Sequence, residues 1–142
     1  MLSIKQLLYY TQIHRRSILD KASRAAIKVE SVTTEEDGDG DDFTMVQATV
    51  VGSTSPRHVE IHLYGKGPNA KVWASCDCPY FLYHCEVADT KKGSSDVIFS
   101  NGKSPRITNK NMVPHLCKHI AACFLRNVGE LKPFKHKKSY KR

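Results

Sequence analysis

Two short motifs hold the residue types best suited to metal chemistry. The first is Cys76-Asp77-Cys78-Pro79, and the second is Pro114-His115-Leu116-Cys117-Lys118-His119. Three thiols and an imidazole form the ligand set of a closed, tetrahedral structural zinc site. A Cys-x-Cys pair at a strand end can turn both sulfurs to one point, because Pro79 stops the strand and bends the chain. A Cys-x-His pair opening a helix can do the same from the other side, where the positive helix N-terminus favours thiolate. The competing reading is five scattered core thiols, since free cysteine packs as a small hydrophobe. Cys85 also competes, as the third thiol of a Cys-x-Cys-x6-Cys run. Its place on an apolar helical stripe with Phe81 and Ala88 favours packing instead.

These motifs need elements to carry them. Residues 3–24 have helical periodicity, with Ile4, Leu7 and Leu8 on one face and Ile18, Leu19, Ala22, Ala25 and Ala26 on a second stripe. Ser17 followed by Asp20 is a plausible second helix start, which puts a break at His14-Arg15-Arg16. Alternation from Ile27 to Thr33 predicts a strand, with Ile27 and Val29 on one side. Strands follow over Phe43–Gly52, Arg57–Tyr64 and Ala70–Ser75, separated by turn-rich segments. The acidic run 35–42 has the aspartate spacing of a calcium loop. Asp42 stands where that loop needs glycine and Ala48 where it needs glutamate, so it reads as a solvated hairpin loop. An antiparallel meander thus delivers the chain to Cys76.

A short helix is predicted over Tyr80–Ala88. The segment 86–113 is then an insertion, with a small hairpin over Asp96–Ser100, Asn101-Gly102 and Arg106–Thr108. Pro114 suits the first turn of a last helix running to about Asn127, with Cys123 in the core. The fold class is therefore α+β: N-terminal helices, a meander, a structured insertion and a C-terminal helix bearing the second motif. Length predicts a single domain over 1–130, with a basic flexible tail over 131–142.

The chain of 142 residues carries a net charge of +8. The surplus is uneven: +4 over residues 1–34, −6 over 35–42, −1 over 43–90 and +11 over 91–142. Such a distribution fits a polyanion, either nucleic acid (DNA first) or an acidic protein surface. The candidate contacts are Arg15, Arg16, Lys91, Lys92, Lys103, Arg106, Lys110, Lys118, Lys132, Lys135, Lys137, Lys138, Lys141 and Arg142, with Lys21 and Arg24 beside the first pair. No apolar run reaches membrane-spanning length, and no export signal is read at the start. An odd number of cysteines then points to reduced thiols in a cytosolic compartment, favouring metal over disulfides.

Cys-x-Cys-Pro followed by Cys-x-His-Ile-Ala-Ala resembles the SWIM-type zinc finger, over residues 46–125. The strands Val50–Ser53 and Val59–Tyr64 and the aromatic Phe81 belong to the same likeness. It implies that Cys76, Cys78, Cys117 and His119 bind one zinc ion, and that the chain contacts DNA or protein. The 38 residues between Cys78 and Cys117 exceed the family's usual span. A loop about four times longer costs only ~1.2 kcal/mol more to close, against ~10–16 kcal/mol from structural zinc.

Within the insertion, Gly93–Ile98 and Ser100-Asn101-Gly102 resemble stretches of tailed-phage proteins. That likeness implies a structural, connector-type component of a phage particle, with other subunits as partners and the virion as its location. Three thiolates and a histidine leave the zinc no open position, and no phosphate-cradling loop, nucleophile elbow or carboxylate pair appears elsewhere. The expected function is accordingly binding, not catalysis, with no small-molecule substrate.

Overall fold

A computed structural model describes residues 1–52, 55–103, 105 and 107–128. Arg106 and the tail cations Lys132, Lys135, Lys137, Lys138, Lys141 and Arg142 lie outside the described residues. Helices α1 (Ile4–Arg15) and α2 (Ser17–Ala22) are followed by strands β1 (Ala26–Glu36), β2 (Asp42–Val51), β3 (Arg57–Tyr64) and β4 (Lys71–Cys76). A π-helical turn, Phe81–Cys85, runs into α3 (Glu86–Lys91), and α4 (Lys118–Leu125) comes last. The architecture is α+β, and none of the described helices is long and apolar enough to cross a membrane.

The four strands pair in sequence order, all antiparallel. Register places Val46 between Val32 and Ile61, Ile61 opposite Ala74, and Val59 opposite Cys76. One face of the sheet is therefore a continuous apolar surface, and α1, α2 and α4 supply Leu7, Ile18, Ile120 and Phe124 to the same core. The first thiol of the metal motif sits at the end of this buried face. The alternation expected over Ile27–Thr33 shifts phase midway. A bulge between Val29 and Ser31 leaves Glu30 unpaired, so the core-facing set passes from Ile27 and Val29 to Val32.

The helical segment breaks at Arg16, as the sequence indicates, but α2 ends at Ala22. Ala25 and Ala26 lie beyond it, with Ala26 opening β1. A capping box starts α1: the Ser3 hydroxyl accepts the Gln6 backbone N–H at 3.1 Å, and the Gln6 side-chain Oε1 accepts the Ser3 backbone N–H at 2.9 Å. Arg126, the C-cap residue of α4, donates to the carbonyls of Ser23 (2.9 Å) and Ala25, tying α4 to the segment just after α2.

Two further expectations differ from the observed structure. Helix α4 starts at Lys118, so Pro114 precedes the helix. Cys117 is the extended N-cap residue (φ −80°, ψ 167°). The N–H groups upstream go to distant side chains instead: His115 to the Asp89 carboxylate (3.0 Å) and Leu116 to the Thr11 hydroxyl (2.9 Å). The second difference is the hairpin expected in the insertion. Among the described residues no strand forms there. The Asn101-Gly102 turn is present, with the Asn101 side chain accepting the Lys103 N–H at 2.9 Å. The buried Glu86 carboxylate takes the N–H groups of Phe99 (3.1 Å) and Ser100 (2.8 Å), of which a two-stranded ladder would have used at most one.

Candidate metal centre

The chain reaches the first sulfur along β4 and turns sharply at Asp77. The Asp77 N–H donates to the His58 carbonyl at 3.3 Å, while its carboxylate accepts the His58 N–H at 3.0 Å. Ladder bonding thus continues one residue past the strand and fixes the first pair. Beyond Pro79, the Phe81 N–H donates to the Cys78 sulfur at 3.3 Å, a bond that favours the thiolate form. From the other side, Cys117 caps α4 and His119 lies in its first turn.

Together these elements bring one donor atom each from Cys76, Cys78, Cys117 and His119 within 4.8 Å of one another, all four residues buried. Tetrahedral zinc with bonds of ~2.0–2.3 Å separates its ligand atoms by roughly 3.5–3.8 Å, so this cluster needs only a small contraction. Both ring nitrogens of His119 are buried and have no hydrogen-bond partner among the described residues. A buried imidazole left so is costly unless something else satisfies it, and a metal ion would engage one nitrogen directly. The donor set fits zinc on chemistry as well as distance.

Without a metal the three thiols compete for one negative charge. Hydrogen bonds with Cys117 and Cys76 pull the Cys78 thiol far below its ordinary range. Burial pushes Cys117 well up, helped by its hydrogen bonds to Cys76 and Cys78. For Cys76, the hydrogen bond with Cys117 acts downward, but the Cys78 contact and burial outweigh it and the thiol rises. Zinc binding would displace the protons that burial favours on Cys76 and Cys117.

The competing ligands fall away on geometry. Cys85 and Cys123 are buried outside the cluster; burial pushes the first well up and the second to about 12. His115 is committed elsewhere. Its Nδ1 lies 2.8 Å from the Val113 carbonyl, which can only accept, so Nδ1 carries the proton. Nε2 therefore accepts from the Tyr80 hydroxyl at 2.8 Å. His84 stacks on Tyr80 with centroids 3.9 Å apart, making it a neighbour of the centre and not a ligand. His58 is exposed, whereas His62 is half-buried in an aromatic row, stacked on Trp73 at 4.3 Å.

Of the predicted cations, the fold brings Arg15 and Lys118 to one place. They line a cavity of about 330 Å³ against Cys78, Tyr80 and His119, together with Lys21 and Arg57. Arg16, Lys91, Lys92, Lys103 and Lys110 are exposed and stand outside it. Arg57 has no motif around it. Only the strand register reveals it: with Val59 opposite Cys76, residue 57 must overhang the Asp77-Cys78 turn. Its Nη1 lies 3.5 Å from the Asp77 carbonyl.

No protein-family model, curated protein or solved structure matches this chain.

Proposed function

We propose that this chain is a zinc-stapled, non-enzymatic binding module of SWIM type, and that it engages nucleic acid through the face carrying the metal centre. The observation that carries this reading is the convergence of Arg15, Lys21, Arg57 and Lys118 beside the cluster. They come from three separated stretches of the chain. No lysine or arginine among the described residues forms an ion pair; the one ion pair found there joins His62 and Glu60. Cations assembled by a fold and left without carboxylates suit phosphate contacts. The zinc, fully ligated by protein, holds the Cys76 turn and the α4 start in register and carries out no chemistry on a substrate.

The test is a salt titration of binding to duplex DNA. Affinity should fall steeply, with ~0.9 of log–log slope for each phosphate contact. Deleting residues 131–142 removes six cations and should flatten the slope while leaving zinc in place. A flat salt response overturns the reading.

One observation favours a second reading, a structural component docked on protein subunits of a phage particle. The insertion exposes Val97, Ile98, Phe99 and Ile107, the last at 95 %. Adjacent exposed apolar side chains of this kind mark protein contact surfaces. This reading expects negligible DNA binding at physiological salt, and failure to enter the particle when those four residues are made polar.

A further inference from the structure

The cavity beside the metal centre has a composition unlike a general basic surface. Arg15 comes from the end of α1, Ser17 and Lys21 from α2, Arg57 from the start of β3 and Lys118 from the start of α4. Four cations line it, and no carboxylate does. The Nε of Arg57 is buried and donates to nothing among the described residues. That N–H is an unsatisfied donor on an arginine that borders the cavity.

The metal cluster itself cannot account for so much charge. Zinc with three thiolates and a neutral imidazole carries a net charge of about −1. One cation offsets it, and the others remain. A carboxylate would offer only two oxygens in one plane. A phosphate offers oxygens in several directions, matching cations that arrive from four separate elements, with the Ser17 hydroxyl as a further donor.

We infer that this cavity is a phosphate site, filled by a single phosphate group that Arg15, Lys21, Arg57 and Lys118 surround. The inference rests on the nucleic-acid reading for the source of that phosphate, a backbone group of a bound strand. Free phosphate or a phosphomonoester would satisfy the same donors. The Tyr80 ring forms one wall, with the Arg15 guanidinium 5.6 Å from its centroid, so the arginine is already held over the site.

The experiment uses the zinc-loaded full chain and its Lys21→Gln and Arg57→Gln variants, with zinc content measured for each. Lys21 is remote in sequence from every ligand, so its variant separates anion binding from metal retention. Amide NMR titrations are run with inorganic phosphate and with a short oligothymidylate. Phosphate should shift the amides of Ser17, Lys21, Tyr80 and Lys118 in the wild type. Each substitution should weaken phosphate binding by about tenfold or more, the scale of one lost charged hydrogen bond. Each should also reduce the oligonucleotide's log–log salt slope by ~0.7, one phosphate on a single strand. No phosphate response, or one indifferent to Lys21→Gln, overturns the site. Zinc loss in Arg57→Gln with no phosphate binding in the wild type also overturns it, leaving charge compensation as the cations' role. If the oligonucleotide binds all three proteins alike, the cavity fails while the nucleic-acid reading stands. If phosphate binds in the cavity and neither the oligonucleotide nor duplex DNA binds, the site stands as one for free phosphate or a monoester, and the nucleic-acid reading falls.

Discussion

Thr11, on the buried side of α1, accepts the backbone N–H of Leu116 at 2.9 Å, one residue before the candidate ligand Cys117. The same hydroxyl donates to the Leu7 carbonyl at 2.7 Å, and the Thr11 side chain is fully buried. One oxygen therefore links the N-terminal helix to the second half of the metal site, across 105 residues of sequence. Thr11→Val keeps the shape and leaves the Leu116 N–H without an acceptor. That should cost ~1–3 kcal/mol, the penalty for an unsatisfied buried donor. Thr11→Ser keeps the hydroxyl and should lose only about a methyl group's worth, ~0.8 kcal/mol. Urea unfolding at saturating zinc measures both. If Val is no worse than Ser, the hydrogen bond contributes nothing to this link.

The ligand quartet should behave as a unit. Elemental analysis should find about one zinc per chain, the stoichiometry of one tetrahedral site. Cys117→Ser should release the metal and much of the fold, while Cys85→Ala and Cys123→Ala should keep it. The latter two should lose stability within the ~0.5–3 kcal/mol usual for single substitutions. Because Cys76 and Cys117 are held protonated in the metal-free cluster, zinc binding should release protons and weaken as pH falls. Zinc retained in Cys117→Ser but lost in Cys85→Ala would reassign the ligands.

Much of this site was legible in the sequence because its signals are local. Two dipeptide-spaced pairs flanking a strand end and a helix start identify the donors without any knowledge of tertiary contacts. The meander was legible because β2, β3 and β4 alternate cleanly. What escaped depends on long-range partners. The bulge at Glu30 changes the phase of β1, yet a polar residue there looks like ordinary alternation. Glu86 lies where the expected insertion begins, yet it is buried and its carboxylate binds the Phe99 and Ser100 amides, a contact that no local pattern signals. Arg57 joins the basic cavity only through the register of β3 on β4.

Asp89 offers a test of a buried charge. Burial raises its carboxyl well above the usual range, against the opposing hydrogen bond from the His115 N–H. A carboxyl raised in the folded state contributes stability that is complete below the unfolded value, 3.8, and lost as pH climbs through the folded value. Asp89→Asn keeps an oxygen acceptor and removes the charge. It should raise stability at pH 7 by on the order of 1 kcal/mol, the scale of a typical single substitution, with no gain below the unfolded value. A loss at pH 7 larger than that in acid would show that the fold uses the ionised form.

His115 titrates with the opposite sign. Burial lowers it from 6.5 to about 4, partly countered by its bond to the Val113 carbonyl, with His14 and His84 adding to the depression. Its neutral form serves the fold, donating through Nδ1 and accepting from Tyr80 through Nε2. A depressed folded value means that the unfolded chain takes up the proton first. The stabilisation is then complete above the unfolded value of 6.5 and drains away as pH falls towards 4. Each pKa unit corresponds to ~1.4 kcal/mol, so roughly 3 kcal/mol is at stake across that window. Acid should also release zinc from a loaded cluster, which would mask the effect in the wild type alone. His115→Gln is neutral at every pH but shares the zinc site, so the difference between the two proteins isolates the histidine. Gln should be clearly less stable at pH 7, and its deficit should shrink as pH drops from 6.5 to 4. A deficit constant across that range would show that His115 is free to take up a proton in the folded protein, and that its bonds to Tyr80 and Val113 do not hold it neutral.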